Sequence, residues 1–239
     1  MVQRAGSQED SGPAAPVGRI TRTPGGARVM LSAVAHYLAA HWVELAGFVT
    51  TALGIWLTTK RLLICWPVVL AADVLYLVVF YRARLLSDAL LQIFFIGFTL
   101  YGWWHWWRGV REEGEVRVAP LALSSLVIAL VAGIAGSFVL GELAKRLHAA
   151  LPYLDAALTS FSLVGSWWQA RKHIANWWLW IVVNLVYIGE YMYKDLWLTA
   201  VLYAGLVGLA VLGLRNWQRA ATANQMAACT TLRNGSPAI

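Results

Sequence analysis

Charged residues are scarce in this chain of 239 residues: they make up 13% of it, against 59% hydrophobic residues. A soluble protein averages about 25% charged residues, so the composition excludes an ordinary soluble domain. The two cysteines, Cys65 and Cys229, have neither metal-ligand spacing nor the number for a disulfide framework. The sequence also lacks the GxxxxGK, HExxH and GxSxG motifs and paired carboxylates at catalytic spacing. It therefore predicts neither ATP hydrolysis nor an enzyme, and it implies no cofactor and no metal.

Long apolar runs are what the chain has instead. They approach 20 residues, which at about 1.5 Å per residue crosses about 30 Å of hydrocarbon. They predict an all-α polytopic membrane protein, in contact with lipid, with seven transmembrane helices. The predicted spans are 42–58, 66–82, 86–107, 118–140, 152–170, 177–193 and 196–217.

The net charge of +7 comes from short basic clusters between the apolar runs. Such clusters are typical of loop anchors, and they argue against nucleic acid as a partner. Without the long N-terminal tail, the side of the C-terminus carries ten basic residues and the other side five. The positive-inside rule then predicts a multi-pass protein of the plasma (inner) membrane with a cytoplasmic C-terminus.

The first three and the last three spans repeat each other at a constant offset of 111 positions. Trp66 matches Trp177, and Tyr76 matches Tyr187. Three spans per repeat and one linking span predict a 3+1+3 arrangement of parallel repeats, with a site between the halves near mid-membrane. Four more pairs agree: Trp56/Trp167, Gly102/Gly213, Trp106/Trp217 and Arg108/Arg219. The predicted regions are a disordered or interfacial tail (1–41), a first repeat (42–107), a linker helix with its loops (108–150), a second repeat (151–219) and a disordered tail (220–239).

One face of the sixth span carries the strongest binding pattern. At 3.6 residues per turn, Trp177, Trp180 and Asn184 share this face, and Tyr187 continues it. Aromatic side chains beside an amide are typical of a site for a flat, polar ring. An aromatic belt at the lipid headgroups is the alternative for Trp177 and Trp178, but a belt supplies no partner for a buried amide.

Few polar residues lie inside the spans, where a central charge costs about 2.5–3.5 kcal/mol and tends to be functional. For Asp88 the alternative is a charge at a helix N-terminus, and for Glu190 an ion pair with Lys194. For Asp73 and Asn184 the alternative is a hydrogen bond between their helices, across the pseudo-twofold axis that relates the two repeats. The candidate substrate-binding residues are Trp180, Asn184, Tyr187, Gln92, Asp88, Asp73, Trp56, Trp167, Glu190 and Tyr203.

Residues 176–184 and 193–203 closely resemble the PnuC family of nicotinamide riboside transporters, and 86–92 and 101–106 agree with its first half. The resemblance covers about residues 42–219. It implies a SWEET-like 3+1+3 fold, a homotrimer, and facilitated diffusion of nicotinamide riboside without ion or ATP coupling. Phosphorylation by a separate cytoplasmic kinase would trap the vitamin. Matched to the family's motifs, the implied substrate contacts are Trp180 and Asn184 in the second half, and Asp88 and Gln92 in the first.

The resemblance does not fix the substrate, because relatives in this family carry thiamine or riboflavin. Two departures concern the pocket: Ser166 stands where many members have Gln, and Tyr187 and Glu190 follow Asn184 where the family is usually apolar. Nicotinamide riboside and thiamine are flat cations, whose stacking on Trp adds about 0.5–2 kcal/mol, whereas riboflavin is larger and uncharged. A non-transporting membrane scaffold or receptor is the rival hypothesis.

Overall fold

The structure, a computed structural model, describes residues 42–82, 84, 86–146 and 151–234. The predicted N-terminal tail, 1–41, lies outside these residues. Within them every regular element is a helix, as the sequence predicts. The seven helices are α1 (Trp42–Thr59), α2 (Cys65–Arg82), α3 (Leu86–Glu113), α4 (Leu123–Arg146), α5 (Pro152–Ala170), α6 (Ala175–Tyr193) and α7 (Trp197–Asn234).

Four helices, α1, α2, α5 and α6, begin and end within two residues of the predicted spans. α3 runs on to Glu113, and α7 runs on to Asn234. Residues 220–234 are therefore helical, where we predicted a disordered tail. The segment after Trp217 is rich in Ala, the strongest helix former, and no Gly or Pro interrupts it before Gly235.

Three of the helices in the described part of the chain are long and apolar enough to cross a membrane: α2, α4 and residues 199–226 of α7. Residues 46–59 of α1 form a shorter apolar helix. The remaining helices, α3, α5 and α6, carry the Trp, Tyr, Asn, Gln and Ser side chains that lower mean hydropathy. These are also the helices in which the sequence predicts most of the binding site.

A tryptophan–glycine contact recurs in both halves of the chain. A Cβ atom on Gly102 of α3 would overlap the ring of Trp66 on α2, and a Cβ atom on Gly213 of α7 would overlap the ring of Trp177 on α6. Each indole therefore occupies the space that a larger residue would fill. The same rings meet a second tryptophan edge-on, with centroids 5.2 Å apart for Trp66–Trp106 and 5.5 Å apart for Trp177–Trp217.

Two reciprocal hydrogen bonds join the halves. The Nε1–H group of Trp106 donates to the carbonyl oxygen of Gln169 at 3.2 Å, and that of Trp217 donates to the carbonyl oxygen of Thr58 at 3.1 Å. Both donors and both acceptors are 111 positions apart, so the two bonds are copies of each other. They accompany the packing of α3 against α5 and of α1 against α7.

The loops repeat as well. Arg61 and Lys172 follow α1 and α5 with φ angles of 59° and 64°, and Arg84 and Asp195 follow α2 and α6 with 60° and 56°. Left-handed backbone is uncommon for residues other than glycine. Its recurrence at the same offset indicates that the chain leaves matching helices with the same backbone conformation.

Helix α4 packs closely against α5, as its small residues predict. A Cβ atom on Gly133 would lie 2.7 Å from the ring of Phe161, and one on Gly136 would overlap the hydroxyl of Ser160. The Ser160 hydroxyl donates to the carbonyl oxygen of Gly133 at 2.9 Å. Small residues thus let the two helices approach closely enough for a side-chain hydroxyl of α5 to reach a backbone carbonyl of α4.

We expect Gly102→Ala to lower the melting temperature, because its methyl group overlaps the rigid Trp66 ring. Overpacking a buried contact costs about 1–3 kcal/mol, more than the roughly 0.5–1 kcal/mol that alanine gains over glycine inside a helix. Gly205→Ala is the matched control, since no atom lies within 4 Å of its added Cβ. Thermal unfolding in detergent checks the pair, and equal melting temperatures would contradict the prediction.

Candidate functional site

A cavity of about 320 Å³ lies between helices α1–α3 and α5–α7. Its wall is built mostly from residues that match at the offset of 111. Both halves of the chain therefore contribute equivalent positions to the cavity. Nine such pairs line it: Thr51/Ser162, Ile55/Ser166, Trp66/Trp177, Val69/Trp180, Asp73/Asn184, Tyr76/Tyr187, Gln92/Tyr203, Phe95/Leu206 and Thr99/Ala210.

Asp73 contributes the carboxyl group of the wall. Its Oδ2 accepts a hydrogen bond of 2.7 Å from the hydroxyl of Thr99 on α3. The amide of Gln92 donates to the backbone carbonyl of Asp73 at 3.5 Å. Asp73 is therefore held by neighbours in its own half, and the hydrogen bond to Asn184 considered from the sequence is not formed.

Asn184 stands opposite, on α6, with its side chain buried against the cavity. The described part of the chain supplies no hydrogen-bond partner for its amide. Its amide atoms are open to the cavity. A ligand with donor or acceptor groups would satisfy this amide.

Three indoles of the wall also have unused donors. The Nε1 atoms of Trp66, Trp177 and Trp180 are buried and have no hydrogen-bond partner in the described residues. An indole N–H can only donate. The three rings give the cavity its aromatic surface, whereas the Nε1 edge of Trp180 faces Gly165 on α5.

Tyr187 and Tyr203 form the tyrosine side of the wall. Their ring centroids are 5.0 Å apart, and Tyr191 packs on both, 5.8 Å from Tyr187 and 4.9 Å from Tyr203. The hydroxyl of Ser162 hydrogen-bonds to Tyr187. Helices α5, α6 and α7 thus meet in one polar and aromatic cluster beside the cavity.

Four predicted binding residues lie outside the cavity wall. Asp88 is in the first turn of α3, and Trp56 and Trp167 are 44% and 40% exposed. Glu190 is buried and pairs with Lys194, as the alternative reading of the sequence predicted, and this hydrogen bond raises the pKa of Lys194. The structure brings together the other six: Trp180, Asn184, Tyr187, Gln92, Asp73 and Tyr203.

Sequence reasoning missed a polar row on α5. Ser162, Ser166 and Gln169 all line the cavity, whereas the sequence analysis considered only Ser166, as a departure from the family pattern. Their spacing of four and three residues places them on one helical face. That spacing was a usable signal in an otherwise apolar segment.

A bundle of helices around an internal cavity of aromatic, amide and hydroxyl side chains is typical of a membrane transporter for a small molecule. The model of the family described as "Nicotinamide mononucleotide transporter" matches residues 41–219. The chain belongs to this family, and the predicted membership of the PnuC family is confirmed.

The names of two similar proteins state different substrates. The chain is 25% identical over 202 residues to "Nicotinamide riboside transporter PnuC" of Escherichia coli (strain K12), covering 74% of this chain and 84% of that protein. It is 27% identical over 180 residues to "Riboflavin/roseoflavin transporter RibM" of Streptomyces davaonensis, covering 73% and 81%. A solved structure, "Crystal structure of the Vitamin B3 transporter PnuC", matches with a TM-score of 0.63 and 22% identity over 81% of this chain and 87% of that one, which establishes the shared fold.

Proposed function

We propose that the protein is a uniporter that carries nicotinamide riboside into the cell by facilitated diffusion, and that phosphorylation by a separate cytoplasmic kinase traps the vitamin. The observation that carries this proposal is the cavity, where the ring of Trp180 and the unpaired amide of Asn184 share a wall with the carboxyl group of Asp73. The names of the PnuC relatives support it.

The chemistry of the ligand fits this wall. A pyridinium ring stacked on Trp180 gains cation–π attraction of about 0.5–2 kcal/mol. The carboxamide and ribose hydroxyls suit the amides of Asn184 and Gln92, which line the cavity. Asp73 supplies negative charge for a cationic substrate.

A phosphorylated substrate fits less well. Among the described residues, the cavity wall contains no Lys, Arg or His. Proteins bind phosphate groups mainly through Arg and Lys side chains. We therefore favour the nucleoside over nicotinamide mononucleotide, although the latter names the family.

Another vitamin on the same fold is the second candidate. The likeness to a riboflavin transporter favours riboflavin, and thiamine shares the flat cation of nicotinamide riboside. The cavity volume of about 320 Å³ is near the lower end of the range of about 300–1,000 Å³ for ligand pockets. This size argues for the smaller molecules over riboflavin.

We propose further that all seven helices span the plasma membrane as two parallel three-helix repeats joined by α4, with the C-terminus in the cytoplasm, and that the protein forms a homotrimer. The recurrence of contacts, cross-half hydrogen bonds and loop angles at an offset of 111 supports the repeat. The distribution of basic residues supports the orientation.

Calorimetric titration of the purified protein with nicotinamide riboside, nicotinamide mononucleotide, thiamine and riboflavin tests the substrate. We expect micromolar binding of nicotinamide riboside and much weaker binding of its phosphorylated form. No heat with nicotinamide riboside and micromolar binding of another vitamin would overturn the assignment. Uptake into proteoliposomes separates a transporter from the rival scaffold or receptor, because a scaffold moves no vitamin down its gradient.

A further inference from the structure

A second cavity, of about 560 Å³, lies between α4 and α5, away from most of the residues described above. Ile128, Ala132, Gly136 and Leu140 line it along one face of α4 at intervals of four residues. This face is about 18 Å long at about 1.5 Å per residue. Ile128 is 68% exposed, so the groove is reached from the exposed side of the helix.

The charged and imidazole side chains of the groove lie at one end. Ser125 from the start of α4 and two residues of the loop after α5, Arg171 and His173, line that end. Arg171 is exposed, and no carboxylate of the described chain lies within ion-pair distance of it. Its guanidinium sits 5.6 Å from the centroid of the Trp167 ring and donates to the hydroxyl of Tyr101 at 3.3 Å. This cation is therefore available to an anion.

His173 adds an unused acceptor beside this cation. Its imidazole hydrogen-bonds to the backbone of Ala119 and Pro120, and burial lowers its pKa. Its Nδ1 atom is buried and has no partner in the described residues. In a neutral imidazole one nitrogen donates and the other accepts. The site thus pairs a cation for phosphate with an acceptor for a hydroxyl group.

We propose that this groove binds one anionic phospholipid of the phosphatidylglycerol type. One acyl chain lies along the α4 face, the phosphate pairs with Arg171, and a headgroup hydroxyl donates to Nδ1 of His173. A bidentate guanidinium–phosphate contact is among the strong hydrogen bonds in proteins. A choline headgroup lacks net negative charge and has no hydroxyl to donate, so it fits this end poorly.

The first half of the chain provides a matched control. Lys60 stands at the position of Arg171, and its Nζ atom likewise lies over a tryptophan ring, 5.4 Å from the centroid of Trp56. Helix α4 packs against α5 and not against α1, so Lys60 has the cation and the ring without the groove.

Lipid binding to the purified, delipidated protein in detergent tests the proposal, with phosphatidylglycerol and phosphatidylcholine of identical chains measured by native mass spectrometry. Wild type and Lys60→Ala should prefer phosphatidylglycerol. Arg171→Ala should bind it at least about 10-fold more weakly, as expected for a lost hydrogen bond to a charged group. Ala132→Phe, which fills the groove, should weaken binding of either lipid.

Equal binding of phosphatidylglycerol by wild type and Arg171→Ala would overturn the proposal. The same holds if Lys60→Ala loses as much as Arg171→Ala, because the effect is then one of general surface charge. If Ala132→Phe changes the oligomeric state while lipid binding stays the same, the groove belongs to a second copy of the chain. Arg171 is exposed, and its substitution removes a cation–ring contact of the kind that Lys60→Ala removes in the other half, so the comparison stays decisive.

Discussion

Asn184→Leu is expected to abolish vitamin binding while leaving the protein folded and its oligomeric state unchanged. The side chain is buried against the cavity and has no hydrogen-bond partner in the described residues. Leucine is similar in size but removes two donors and an acceptor, which leaves polar groups of the ligand unpaired. That penalty of about 1–3 kcal/mol for each unpaired group weakens micromolar binding on the order of 100-fold, so that no binding is detected. Calorimetric titration checks it.

Val182→Leu is the control for this substitution. It introduces leucine on the same helix at a position that is 55% exposed, so affinity should stay at the wild-type level. Thermal unfolding and size-exclusion chromatography of both variants confirm folding and assembly. Unchanged affinity in Asn184→Leu would make Asn184 a packing residue.

The helices were predictable from the sequence because long apolar runs have few alternatives in a membrane. The end of α7 was not. We predict a disordered tail at 220–239, whereas the Ala-rich composition after Trp217 favours helix. The prediction is wrong for 220–234 because a segment does not need to be apolar to form a helix.

The matched tryptophans and glycines mark a packing contact as well as a repeat. Trp66 and Trp177 match at the offset of 111, and each packs on a glycine 36 positions further along the chain, Gly102 or Gly213. The pairing follows from volume, since a large ring needs a missing side chain nearby. Both indoles also line the cavity, so scaffold and binding surface are not separate sets of residues.

The sequence did not show which face of each helix points to the cavity, and this limited the prediction of the binding residues. On α1, Thr51 and Ile55 face the cavity, and Trp56 is the next residue, about 100° further around the helix. Trp167 stands in the same relation to Ser166 on α5. In a helix that is apolar on most sides, the sequence does not tell which tryptophan points inward. Symmetric placement at the offset of 111 made both look equally suitable.

Trp180→Val is the second substitution with a large expected effect, because it installs the residue that the first half has at this position, Val69. We expect about 10- to 100-fold weaker binding of nicotinamide riboside, from lost cation–π attraction and lost apolar contact. The Nε1 edge of Trp180 lies 3.2–3.4 Å from where a Cβ atom of Gly165 would be. Removing the ring therefore also leaves space against α5.

Trp180→Phe separates the loss of the aromatic face from the loss of packing. It keeps a ring for stacking but lacks the indole N–H group, so the expected order of affinity is wild type, Trp180→Phe, Trp180→Val. Trp178→Val is the matched control, since that tryptophan is on the same helix and is 58% exposed. If Trp178→Val weakens binding as much as Trp180→Val, the aromatic side chains of α6 act through the membrane interface and not through the cavity.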